Sequence, residues 1–454
     1  MKDKSLAKVI RHILSAIPMF FVNSIIFLFK NINKSSKLFK FERKSFKKHF
    51  REFLEDYKGN IKEGIIALLI CACGDLVAGL ILGNMTYFLE KYPGLLVLIP
   101  GAIGMRGNIF GSFGSRLSTN LHIGILTPEF KKTEALTDNI LSSLVLTLVL
   151  SLFLAFVAKV LCIILHFESM SFVDFALISI IAGLISNIIM LPITMFISLK
   201  SFENGWDPDN ITTPIIAAFG DLFTLPAIII SILILSVFSS IMIVKYAVFI
   251  IFIIIVVAGF LYGLRESEET KTIIGQSTPV LFVCSILGVV AGGIFNSSLE
   301  TLLTNPSLLT LLPLFSGESG SLVSILGARI SSGLHSGLIE PVLKPKKNTF
   351  FNFILILILA IAMYPTIGFL AEATSRIFES QGIGFIKIIE ISTLSGLILI
   401  PIMMIVVFYI STISYRHNLD PDNIVLPIST SVTDSISSLI LISIALVLMG
   451  SFIL

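Results

Sequence analysis

The segment Asp207-Pro208-Asp209-Asn210-Ile211-Thr212-Thr213-Pro214 returns 213 residues later as Asp420-Pro421-Asp422-Asn423-Ile424-Val425-Leu426-Pro427. Each copy runs into a long apolar stretch that carries a single aspartate, Asp221 in one case and Asp434 in the other. The same gapless shift aligns Pro100 with Pro313, Gly104 with Gly317, Gly107 with Gly320, Arg116 with Arg329, His122 with His335 and Pro128 with Pro341. Chance likeness between apolar segments would match Leu with Ile, not Pro, Gly, Arg and His. A unit of membrane-spanning size has therefore been duplicated, with one carboxylate in each copy.

Composition fits that reading. Hydrophobic residues make up 55% of the 454 and charged residues only 13%, which a large soluble domain does not need and a multi-span membrane protein does. Residues 1–60 hold 14 Lys and Arg against 5 Asp and Glu, a net +9 that leaves −6 for the remainder. Such a basic end is expected to stay cytoplasmic and to meet anionic lipid. The stretch Ile13 to Phe29 has Pro18 inside it and basic flanks on both sides, with nine Lys and Arg from Lys30 to Arg51 where a signal peptide would have its cleavage site. It reads as an interfacial helix. The cysteines Cys71, Cys73, Cys162 and Cys284 lie in apolar runs without metal-binding spacing and read as packing residues.

Apolar segments of about 20 residues or more fall near 61–83, 94–114, 139–165, 174–199 and 211–243. A sixth near 246–263 precedes a polar stretch, and five more follow near 278–298, 307–327, 350–371, 385–411 and 424–453. The expected fold is an all-α polytopic membrane protein of about eleven spans: two parallel five-helix repeats joined by a connecting transmembrane helix. The divisions are a basic segment 1–60, a first repeat 61–243, a connector 244–273 and a second repeat 274–454. Lys131 and Lys132 in one repeat, and Lys344, Lys346 and Lys347 in the other, follow the second span of each. They place those loops, and the N-terminus, in the cytoplasm of a cell-membrane protein. With one span between them the repeats run in the same direction, so one chain carries what a dimer would otherwise supply and no oligomer is required.

Asp221 lies about ten residues past Ile211, roughly 15 Å into its helix and near mid-depth of a hydrocarbon core of about 30 Å. Asp434 is equally deep. An aspartate there is expensive unless it faces water, a partner or a cation, and two at one depth are most simply read as a shared cation site. Asp75 adds a third carboxylate in the first span, where the shift finds Gly288. The second span of each repeat, around Pro100-Gly101 and Pro313, is rich in Gly and is expected to break and free backbone carbonyls; close helix packing through those glycines is the alternative. Asn108 could lend a neutral oxygen to the pathway, while the second repeat has Ser321 there and a carboxylate at Glu318. Arg116, Arg329, His122 and His335 are expected at the cytoplasmic membrane surface, the arginines reaching lipid phosphate. The Asp-Pro-Asp-Asn turns read as helix starts, and Trp206 as an interface anchor.

Taken together, the Pro-Gly-Asn second span and the Asp-Pro-Asp-Asn-Ile-x-x-Pro turn leading to Gly220-Asp221-Leu222-x-Thr224-Leu225 resemble the membrane domain of MgtE-type magnesium transporters. The two-repeat, eleven-span form is similar to the solute-carrier family 41 proteins, and the resemblance covers residues 61–454. It implies that Asp221 and Asp434 line a central pathway for Mg2+. Ser321 departs from the family's Asn, and the soluble sensing domains of bacterial MgtE have no counterpart in residues 1–60, so gating by such domains is not expected.

The physical reading of the ion agrees: Mg2+ dehydrates reluctantly and suits a wide site of two or three carboxylates, although hard ligands also admit Mn2+ or Co2+. Metal ligands are thus sought at Asp221, Asp434, Asp75, Asn108 and Glu318. The metal is cargo, with no resident cofactor and no nucleic-acid partner expected. A rival reading is an intramembrane enzyme using the paired aspartates as acid and base, but the chain has no H-E-x-x-H and no nucleophile elbow.

Overall fold

The computed structural model describes residues 58–122, 126, 133–204, 213–238, 241–378, 382–417 and 421–449. Residues 1–57 of the basic segment, Lys131 and Lys132, the first Asp-Pro-Asp-Asn turn with Trp206, and Asp420 lie outside the described residues. Thirteen helices and no strand are present among those described. They are α1 (Lys58–Gly83), α2 (Thr86–Lys91), α3 (Leu95–His122), α4 (Glu134–Ile164), α5 (Phe172–Glu203), α6 (Thr213–Phe238), α7 (Met242–Glu266), α8 (Glu268–Ser297), α9 (Leu299–Thr304), α10 (Pro306–His335), α11 (Lys347–Ile377), α12 (Phe385–Arg416) and α13 (Pro421–Met449). All but the six-residue α2 and α9 contain a stretch long and apolar enough to cross a membrane, eleven in all. Apolar side chains that stay exposed, such as Ile70, Ile188, Ile254 and Ile398, then have lipid as their solvent.

The duplication extends to helix boundaries. Both ends of α2 and α9, of α4 and α11, and of α5 and α12 differ by the same 213 residues that separate Asp221 from Asp434. Some starts are fixed by local capping: the Thr133 hydroxyl accepts from the Leu136 N–H at 3.2 Å, and Ser267 accepts from the Thr270 N–H at 3.0 Å. The second aspartate-rich turn leads directly into α13, which begins at Pro421, a position where the missing N–H would have no helical partner anyway.

The first helix of each repeat packs against the second helix of the other. α8 lies along α3 and α4 of the first repeat as well as α13 of its own. In the mirror arrangement, α1 meets α10 through Gly79 and Gly83, and α6 through Gly74. A Cβ on Gly79 would run into the carbonyl of Thr310, and one on its counterpart Gly292 would run into the carbonyl of Val97. Only glycine lets these backbones approach so closely. The two crossings interlock the repeats.

Two expectations are corrected. α3 and α10 are continuous helices through Pro100 and Pro313, each proline lying in the first third of its helix, and the glycines that follow stay within the helix instead of unwinding it. Arg116 and Arg329 do not extend toward lipid phosphate as their main contact. Their Nε atoms donate to Asn139 at 2.7 Å and Asn352 at 2.8 Å, a pair preserved in register between the repeats. The connecting helix α7 is the most peripheral: Val256 and Gly263 are its buried residues, and Lys245 ties it to Asp174 of α5 at 2.6 Å. Cys73 is exposed on α1, whereas Cys71, Cys162 and Cys284 are buried, and all four are free thiols.

Candidate cation site

Asp221 on α6, Asp434 on α13, Asp75 on α1 and Asn108 on α3 line one cavity of about 130 Å³ between the repeats. A space of that size accommodates several waters, since each needs on the order of 10–15 Å³ of it. Its two long walls are faces of α3 and α10. On α3, Gly104, Gly107, Asn108, Gly111, Ser112 and Ser115 recur at steps of three and four, which puts them on one side of the helix. α10 presents Ser316, Gly317, Gly320, Ser321 and Ser324 in the same way. Small residues keep the space open and hydroxyls keep it wettable.

The glycines also seat the carboxylates across the repeat boundary. A Cβ on Gly104 would lie 3.2 Å from Oδ2 of Asp434, and one on Gly317 would collide with the carboxylate of Asp75. These two glycines are equivalent in register, and each yields to an aspartate of the other repeat.

The two central aspartates have different partners. Ser316 donates to Asp434 Oδ1 at 2.6 Å. Asp221 instead has the Asp75 carboxyl within hydrogen-bonding reach, and Asp434 close enough for its charge to be felt. Asp75 is 1% exposed, and its Oδ2 has no partner. Carboxylates placed this close repel one another unless a cation or a proton lies between them.

Asn108 bridges the repeats: its Nδ2 donates to Ser431 at 3.2 Å, and its Oδ1 lies 3.4 Å from the Thr430 hydroxyl, which donates to the Leu426 carbonyl of its own helix at 2.9 Å. Ser321, its counterpart, lines the opposite wall. Glu318 does not line the cavity. It is fully buried on another face of α10, and neither of its oxygens has a partner. Among the described residues no three carboxylate, imidazole or thiol groups converge tightly enough to cage a bare ion. The arrangement suits an ion that keeps its water.

Ser316, Thr430 and Ser431 were not singled out from the sequence. The signal available was the run of small and hydroxyl residues at helical spacing on α10, and the hydroxyl-rich first half of α13, both in spans that also carry a carboxylate.

A family model described as divalent cation transporter, MgtE, matches residues 99–231 and again 312–444. The two matches are offset by the same register as the repeats. Among curated proteins the chain is 26% identical over 287 residues to solute carrier family 41 member 2 of Homo sapiens, covering 60% of this chain and 48% of that protein. It is 23% identical over 438 residues to solute carrier family 41 member 3 of Rattus norvegicus, covering 90% of this chain and 94% of that protein. The chain thus spans about half the length of the member 2 relatives that it matches. No solved structure matches.

Proposed function

The chain belongs to the MgtE family of divalent cation transporters and is a multi-pass membrane protein; from that premise we propose that it carries divalent cations, Mg2+ foremost, through the cavity between its repeats. The observation that supports this most directly is the meeting of Asp75, Asp221 and Asp434 on one wettable space from three different helices.

In this reading Asp221 and Asp434 hold the hydrated ion from either side. Asp75 adds a third negative charge, and Asn108 a neutral oxygen. Water, not protein, completes the shell, as Mg2+ prefers. The described lining has no Cys, His or Met, so soft metals find no matching ligand. Glu318 takes no ligand role, because it faces away from the space. The basic N-terminal segment lies on the cytoplasmic face of the cell membrane against anionic lipid, and the fused repeats complete the pathway within one chain.

The test is flux of Mg2+, Mn2+ and Co2+ in turn into liposomes containing the full chain, with and without Na+ and pH gradients. Asp221→Ala and Asp434→Ala should each abolish Mg2+ flux while still inserting into the bilayer. Wild-type flux in both single variants would overturn the proposal.

A further inference from the structure

Away from the cavity, equivalent positions of the two repeats carry different chemistry. In the first repeat, α3 sends Arg106 toward α4 and α5, where it is 1% exposed and its Nη2 donates a long hydrogen bond of 3.4 Å to Ser151. Its Nε and Nη1 have no partner among the described residues. Arginine does not lose its proton in proteins, so a full positive charge lies inside the fold against one neutral hydroxyl. Burying a charge without a counter-charge is strongly destabilising.

The neighbourhood of that charge is polar. Thr147 and Ser151 on α4, and Ser179, Ser186 and Asn187 on α5, are all buried. Asn187 donates to Thr147 at 2.9 Å, but the hydroxyls of Ser179 and Ser186 are unpartnered. Gly183 shares their face of α5 and makes the room: a Cβ there would fall 2.8 Å from Arg106 Nη2 and 2.5 Å from the Ser151 hydroxyl.

The second repeat serves as an internal control. Ser319 stands for Arg106, Ala360 and Tyr364 for Thr147 and Ser151, and Leu399 and Ile400 for Ser186 and Asn187, all of them buried. The Ser319 and Tyr364 hydroxyls lie 3.0 Å apart, and the Tyr364 ring packs over Gly396, the counterpart of Gly183. Ser179 alone keeps a hydroxyl counterpart, Ser392, and that one is engaged with the Tyr364 carbonyl at 2.6 Å. The equivalent positions therefore carry neutral groups, with the buried Glu318 as the neighbour of Ser319. The fold does not require the arginine, its polar surroundings or the unpartnered donors.

We infer that the first repeat binds a small monovalent inorganic anion, of the halide class, at Arg106. The unpartnered Nε and Nη1 supply charge-assisted donors, and the free hydroxyl of Ser179 on the facing helix supplies a neutral one. One guanidinium with neutral hydroxyls matches a single negative charge. A phosphate would call for more than one positive group.

The test uses the full chain in detergent with chelator and no added divalent metal, so it stands apart from the cation reading. Melting temperature is followed as sodium chloride or sodium bromide replaces sodium gluconate at constant ionic strength. Wild type should show a saturable rise of about 2–4 °C. The double variant Arg106→Ser with Ser151→Tyr, which installs the second repeat's own pair, should show none. Flat melting of the wild type in both halides, or an equal rise in the double variant, overturns the site. If the double variant does not fold, wild-type crystals grown in bromide decide. Anomalous density within hydrogen-bonding distance of Arg106 Nε and Nη1 supports the site, and its absence there refutes it.

Discussion

Ser316 donates a 2.6 Å hydrogen bond to Asp434, and the residue in register with it in the first repeat is Ile103, which can donate nothing to Asp221. The duplicated aspartates are alike in position and unlike in support. A hydrogen bond to a charged group contributes about 1.5–3 kcal/mol, so Ser316→Ala should leave Asp434 less firmly aimed at the ion. Apparent Mg2+ affinity in a liposome flux assay is expected to fall roughly tenfold, since each 1.4 kcal/mol corresponds to about that factor. An unchanged concentration dependence would mean that the serine merely packs.

Asp75 and Asp221 lie within hydrogen-bonding reach of one another, and a third carboxylate lines the same space. With neither a cation nor a shared proton this crowding is unfavourable. Two unit charges 4 Å apart repel by about 1–4 kcal/mol between the screening of bulk water and that of a protein surface. Asp75→Asn should therefore raise the melting temperature in chelator and shrink the rise produced by Mg2+. Loss of stability in chelator with an intact Mg2+ response would show that Asp75 is a packing group.

Asn108 joins α3 to α13 through its hydrogen bond to Ser431 and its contact with Thr430, so it holds the two repeats together at the edge of the cavity as well as offering an oxygen. Asn108→Ala removes the bond to Ser431, with a net contribution of about 0.5–1.5 kcal/mol, and the contact with Thr430. Asn108→Ser should be milder, since serine is what the second repeat carries at Ser321. Melting curves and Mg2+ flux measured side by side should rank wild type above serine and serine above alanine. Any other order would deny Asn108 this bridging part.

Much of this architecture was legible because duplication leaves a register that sterics and charge preserve. Asp221, Asp434 and Asp75 stood out as carboxylates in apolar runs, and three helices bring them to one space. Less visible was which side of a helix a residue faces. Glu318 follows Gly317 by one position, yet a step of about 100° around the helix takes it off the cavity wall. Arg116 and Arg329 read as lipid-facing because the sequence does not say which neighbours a helix end will meet. The paired Asn139 and Asn352, in the same register, were the available clue. The exchange of first helices could not be read from glycine spacing, because a small face fits any close neighbour.

That exchange is directly testable through Gly79 and Gly292. A Cβ at either position would collide with a backbone carbonyl, of Thr310 or Val97 respectively, and neither carbonyl can rotate aside as a long side chain could. Forcing extra volume into a packed interface typically costs about 1–3 kcal/mol, so Gly79→Ala and Gly292→Ala should each lower the melting temperature by several degrees. Gly320→Ala is the contrast, because a Cβ there meets nothing within 4 Å and alanine favours the helix by about 1 kcal/mol over glycine. It should keep or raise stability while its methyl narrows the cavity wall and slows Mg2+ flux. Equal stability of all three variants would remove the case that the repeats interlock by swapping their first helices.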